Sequence, residues 1–143
     1  MIAGAKMDAA SARAFVTAGH ARFTLVSQKT GARYTFEVQA SKREDDARSF
    51  VKVLTGSDNE SDYTYLGTVF DGVTYRHGAR SSIGPDAPSA RAFGWAWPRI
   101  VAGLDLTNCE IWHEGRCGRC GRALTVPESI ASGLGPICME KAA

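Results

Sequence analysis

Cys117 and Cys120 enclose Gly118 and Arg119 in a C-x2-C knuckle, and Cys138 follows the turn signal Gly133-Leu-Gly135. A knuckle of this spacing brings two sulfurs to one point, and small residues such as Gly118 and Gly121 let backbone amides approach them. Zinc takes soft or borderline donors of this kind in a tetrahedron. With Cys138 as a third ligand, one position remains, and His113 and Cys109 both qualify by type. If 109–113 is extended, the two share a face but lie roughly 13 Å apart at about 3.3 Å per residue, too far for one ion to hold both. His113 is separated from the knuckle only by Glu114, Gly115 and Arg116, so it needs the shorter return. The expected site is zinc held by His113, Cys117, Cys120 and Cys138, with Cys109 as the alternative fourth ligand or as a buried thiol.

Other uses of the cysteines fit less well. All 4 lie from Cys109 onward, whereas a disulfide framework would spread through the chain. A redox C-x2-C opens a helix in a βαβ unit, and no such pattern surrounds Cys117. The stretch from Met1 to Lys6 lacks a basic region followed by a long apolar one, the mark of a secretory signal. The expectation is a cytoplasmic protein with reduced thiols. No apolar run approaches the roughly 18 residues of a membrane span, so no membrane partner is expected.

Around the knuckle, Arg116, Arg119 and Arg122 recur at every third position, with Trp112 just before them. Arginines on a rigid turn can grip phosphates bidentately, and an indole can stack on a base. This makes nucleic acid the expected partner. The same arginines could instead donate to local carbonyls. If all of them neutralised phosphates, the log–log salt slope would be only about −2.7. The net charge of the 143-residue chain is +2, with bases and acids nearly balanced on either side of Asn108. Long-range attraction to a polyanion is therefore weak, and binding must come from a local patch.

Enzymatic chemistry finds no support. There is no phosphate loop, dinucleotide fingerprint or nucleophile elbow. A catalytic zinc leaves one position open for water, and here protein ligands close all of them. A deaminase would need H-x-E followed by P-C-x-x-C, but Glu114 directly follows His113 and Arg116 stands where proline belongs. His20 and His77 are isolated in the sequence. The protein is expected not to be an enzyme.

The elements that must carry this site read clearly in the first two thirds. Ala9 to His20 suits a short helix with Ala12, Phe15 and Val16 on one side and Asp8 as its cap. Arg22–Gln28 and Tyr34–Val38 alternate about a Gly31-containing turn, the pattern of a β-hairpin in which Phe23 and Leu25 share a face. Phe50–Leu54, Tyr63–Phe70 and Val73–Arg76 read as further strands, the last two joined by Asp71-Gly72. Asp86 looks like a cap for a second helix with Ala90, Phe93, Trp97, Val101 and Leu104 on one side. Pro98 should kink or end that helix near Trp97. Trp95 points elsewhere, as an exposed aromatic. The pentapeptide Ser11-Ala-Arg-Ala-Phe15 recurs as Ser89-Ala-Arg-Ala-Phe93, which reads as coincidence in an Ala/Arg-rich chain.

The tail, Trp112 to Arg122, then Leu124-Thr-Val-Pro-Glu-Ser-Ile130 and Gly133-Leu-Gly-Pro-Ile-Cys138, resembles an uncharacterised family of phage and prophage proteins with a single C-terminal zinc ribbon. The strands around Phe50–Gly56 and Asp62–Gly67 are similar to the region that often precedes that ribbon. The resemblance implies zinc ligands at His113, Cys117, Cys120 and Cys138 and a host-cytoplasmic setting, but no reaction. It also opens a second reading, an anti-CRISPR-like inhibitor that docks on a bacterial defence complex through the acidic runs Glu44-Asp45-Asp46 and Asp58–Asp62. The expected fold is α+β: a mostly antiparallel sheet of about five strands with one or two helices over 1–106, followed by a small zinc ribbon over 107–143.

Overall fold

The computed structural model describes residues 5–7, 9–43, 45–58, 61–113 and 117–119. The elements run β1 (Ala5–Met7), α1 (Ala9–Val16), β2 (His20–Ser27), β3 (Arg33–Ala40), β4 (Arg48–Leu54), β5 (Tyr63–Phe70), β6 (Thr74–His77), α2 (Pro88–Val101) and β7 (Cys109–His113). The strands form one 7-stranded sheet in the order β1-β7-β2-β3-β4-β5-β6, and every pairing is antiparallel.

Period-two alternation explains the middle of this sheet. In β2, Ala21, Phe23 and Leu25 are buried while Arg22, Thr24 and Val26 are half-buried. In β4, Ser49, Val51 and Val53 are buried between Arg48, Phe50, Lys52 and Leu54. Such alternation is what a sheet with one packed face and one wet face requires. Asp71 and Gly72 both adopt positive φ, 54° and 66°. That is the type I′ geometry whose twist matches the flanking strands, and glycine enters it without strain. A register shift at Val51/Lys52 leaves Leu66 without a cross-strand partner, a bulge in β5. The extra residue returns Tyr65 and Thr68 to one face, where their hydroxyl oxygens lie 2.7 Å apart.

Both helices pack on the Phe23/Phe36 face. Phe23 and Phe36 are cross-strand partners with ring centroids 5.7 Å apart. The Phe93 ring of α2 lies 5.3 Å from Phe36 and 6.4 Å from Phe23, and the Phe15 ring of α1 lies 6.4 Å from Phe23. The repeated pentapeptide therefore does equivalent work twice: Ala12 and Phe15, like Ala90 and Phe93, are buried on the sheet-facing side of their helices. Burying each of these phenylalanines contributes about 1.5–3 kcal/mol. Trp97 stacks on Phe93 at 6.0 Å, and its indole N–H donates to the Val73 carbonyl at 2.9 Å.

The fold departs from the expected one. The sheet has two more members than the sequence patterns revealed, and the expected separate ribbon after residue 106 is not what the described part of that segment forms. Cys109–His113 is an interior strand of the sheet, paired with β1 on one side and β2 on the other. The long connection through α2 carries the chain back from the β6 edge so that β7 can fill the gap between β1 and β2. The knuckle start is also tied to the sheet, because the His20 backbone N–H donates to the Gly118 carbonyl at 2.7 Å.

Smaller departures concern α2. Its N-cap is Ala87 with no side-chain cap hydrogen bond, and Pro88 occupies the first turn, where its missing N–H costs nothing; Asp86 is not the cap. The helix runs through Pro98 to Val101. Ile100, 3% exposed, draws this last turn onto the core, and Gly94 stands at the i−4 position where the proline ring would crowd the chain. Leu104 falls outside the helix and is 54% exposed. Asp8, expected to cap α1, lies outside the described residues. Among the described residues, no helix is long and apolar enough to cross a membrane.

Candidate functional site

Strand β7 divides the expected site between the two faces of the sheet. Period-two geometry sends neighbouring side chains in opposite directions, so Ile111 and His113 are buried on the helix-covered side while Trp112 is half-buried on the other. His113 is only 1% exposed, and its ring centroid lies 5.6 Å from that of Phe15. Gly118 comes against the same phenylalanine: a Cβ built there would lie 2.7 Å from the Phe15 ring. Phe15 thus has the His113 ring and the backbone of the knuckle packed around it.

Cys117 is 1% exposed. The Arg119 backbone N–H donates a hydrogen bond to its Sγ at 3.4 Å. Of the expected ligands, the structure therefore places His113 and Cys117, both buried at the Phe15 end of α1. Cys120 and Cys138 lie outside the described residues. Among the described residues there is no group of three or more His, Cys, Asp or Glu side chains that could hold a metal.

Cys109 stands apart from this pair. It opens the same extended strand that His113 closes, as the spacing comparison assumed. Its side chain lines an apolar groove of about 370 Å³ with Leu25, Tyr34, Ala92 and Trp95. Burial pushes its thiol pKa up, and the neighbouring Glu110 charge adds to the rise. A thiol held neutral is a poor metal ligand.

On the side away from the helices, Trp112 donates its indole N–H to Glu110 Oε1 at 3.4 Å, and Lys6 pairs with Glu110 Oε2 at 3.0 Å. Lys6 and the indole N–H hold the Glu110 carboxyl below the usual carboxylate range. Arg119 is exposed. Arg116 and Arg122 lie outside the described residues, so of the expected nucleic-acid contacts the structure places Trp112 and Arg119.

A further cluster on this side escaped the sequence reading. Glu37, in the middle of β3, is 5% exposed. Arg22 Nε donates to its Oε2 at 2.8 Å, His20 Nε2 lies 3.2 Å from the same oxygen, and Lys52 Nζ lies 3.9 Å from Oε1. Burial would raise the Glu37 carboxyl, but the hydrogen bonds and charges of Arg22 and His20 outweigh it and hold the group below its ordinary value. His20 is therefore not isolated. The available signal was the hairpin itself: with the observed register, Arg22 stands directly opposite Glu37, an opposite-charge cross-strand pair.

The acidic runs have local uses. Arg48 holds Asp46 through both Nε and Nη2, at 3.0 and 2.7 Å, and the carboxyl is strongly depressed as a result. Asp62 accepts the Asp58 backbone N–H at 2.8 Å. Glu44 and Glu60 lie outside the described residues.

A family described as "Family of unknown function (DUF6011)" matches residues 112–143. The match opens at Trp112 and takes in His113, Cys117, Cys120 and Cys138 together with Arg116, Arg119 and Arg122. No curated protein and no solved structure matches the chain.

Proposed function

We propose that this is a non-enzymatic, zinc-binding protein of phage type that binds nucleic acid. His113, Cys117, Cys120 and Cys138 hold one zinc ion, and Arg116, Arg119, Arg122 and Trp112 contact the ligand. The observation that carries this reading is the split of β7: His113 is buried beside the Phe15–Gly118 contact, while the adjacent Trp112 is presented on the face opposite the helices. An anchor on His113 therefore fixes the orientation of Trp112. The donor types and the N–H···S hydrogen bond from Arg119 to Cys117 Sγ fit zinc, which supplies a rigid tetrahedral crosslink and, for a short segment, much of the folding free energy.

The anti-defence reading rests on free acidic surfaces, and Asp46 and Asp62 are engaged within their own loops. Nucleic acid is therefore the favoured partner. Mobility shift with DNA and RNA over a range of salt tests this. Retarded complexes at low salt that weaken in an Arg116/Arg119/Arg122 triple-alanine variant are the expected result. No complex at low salt, or a triple variant that binds as well as the parent, refutes the proposal.

A further inference from the structure

We infer that the sheet face opposite the helices is a platform for single-stranded nucleic acid, centred on Arg22, Lys52 and Tyr63 and reaching Trp112. This rests on the nucleic-acid reading above and says where and in what form the ligand binds. Among the described residues, α1 and α2 both pack on the Phe23/Phe36 face and no element covers the other. That opposite face is basic. Its strands present Lys6, Arg22, Arg33, Arg48, Lys52 and Arg76 there, and only Glu37 and Glu110 as acids.

Both acids act as braces. Glu37 holds Arg22 at 2.8 Å, with the guanidinium 5.4 Å from the Tyr63 ring centroid. Glu110 holds the Trp112 indole at 3.4 Å. A cation and an aromatic are thus fixed in advance, which lowers the ordering cost of binding.

Aromatic rings lie across the same face: Phe50 on β4, Tyr63 and Tyr65 on β5, and Trp112 on β7, all half-buried. Trp112 pairs with Thr24, Thr24 with Thr35, and Tyr63 with Leu54. The two outer rings are separated by four strand spacings, about 19 Å. Between them the Thr24 and Thr35 hydroxyls, 2.7 Å apart, offer neutral hydrogen-bonding groups. Rings lying on a sheet can stack only on bases whose faces are free, as in a single strand; a duplex hides them. Positive charge beside such rings complements the phosphates that link the bases. Because Glu37 engages both Arg22 and Lys52, while Glu110 engages Lys6 and Asp46 engages Arg48, about two phosphates are neutralised and the salt slope is about −1.4.

The test is fluorescence anisotropy of the full chain, purified with zinc, on labelled oligothymidylate and oligouridylate of about 15 nucleotides and a duplex of equal length. Tyr63→Leu should weaken single-strand binding roughly 5- to 150-fold. Arg76→Glu, on an exposed edge position, should weaken it without lowering the melting temperature, and Arg76→Lys should restore it. Single strands should bind at least tenfold more tightly than the duplex. If single strands bind and Arg119→Ala weakens them while Tyr63→Leu and Arg76→Glu do not, the platform is wrong and the nucleic-acid reading stands. Duplex bound as tightly as single strand also overturns the platform. If no oligonucleotide binds at low salt, both fail and a protein partner takes their place.

Discussion

Gly118 lies so close to Phe15 that a Cβ added to it would sit 2.7 Å from the ring and 2.9 Å from the Phe15 carbonyl oxygen. This approach joins the start of the knuckle to α1. Gly118→Ala should destabilise the protein by about 1–3 kcal/mol, the cost of overpacking a tight contact. Phe15→Ala should cost about 3–5 kcal/mol through the cavity it leaves. Denaturant unfolding of both variants checks this; a Gly118→Ala protein as stable as the parent would show that the contact is loose.

Metal content separates the candidate ligands. His113→Ala and Cys117→Ser should each lose zinc on dialysis, while Cys109→Ala should retain it, because Cys109 faces the apolar groove lined by Leu25 and Tyr34. Chelation should lower the melting temperature of the parent, since metal affinity is part of its folding free energy. Elemental analysis decides the matter, and retention by His113→Ala with loss by Cys109→Ala would exchange their roles.

Glu37 predicts an acid-sensitive component of stability. Its carboxyl is held below its ordinary value in the folded protein by Arg22 and His20, with Lys52 facing the other oxygen. A depressed carboxylate contributes stability that is fully present above its unfolded value and is lost as pH falls through the folded value. Glu37→Gln should cost about 1–3 kcal/mol near neutrality. Melting temperatures of parent and variant, measured against pH, should converge as pH falls through the depressed value of the folded carboxyl; a gap that stays constant into acid would remove Glu37 as its source.

The tryptophans of α2 should behave differently. Trp97 is fully buried and its indole N–H satisfies the Val73 carbonyl, so Trp97→Phe should cost about 1–3 kcal/mol by leaving that acceptor unpaired. Trp95 is 39% exposed with the Arg99 guanidinium 4.7 Å from its ring centroid. Trp95→Ala should change stability by about 1 kcal/mol or less. Thermal unfolding of both variants checks the contrast.

The sequence by itself determined the local elements and the donor chemistry. Alternation about Gly31 is enough to pair β2 with β3 and to turn Phe23, Leu25 and Phe36 inward, because the side-chain period of a strand is two. Asp71-Gly72 specifies a hairpin through its positive φ angles. The spacing of Ala12, Phe15 and Val16 places them on one side of a helix, and the types and spacing of His113, Cys117, Cys120 and Cys138 suffice to propose zinc. The tertiary structure alone decided where β7 belongs. Its partners in β1 and β2 lie far away in sequence, and a strand of 5 residues carries too little pattern to name them. Pairing decides which face each side chain takes, so the burial of His113, the placing of Trp112 on the opposite face and the meeting of Arg22, Glu37 and Lys52 arise only once the sheet is assembled.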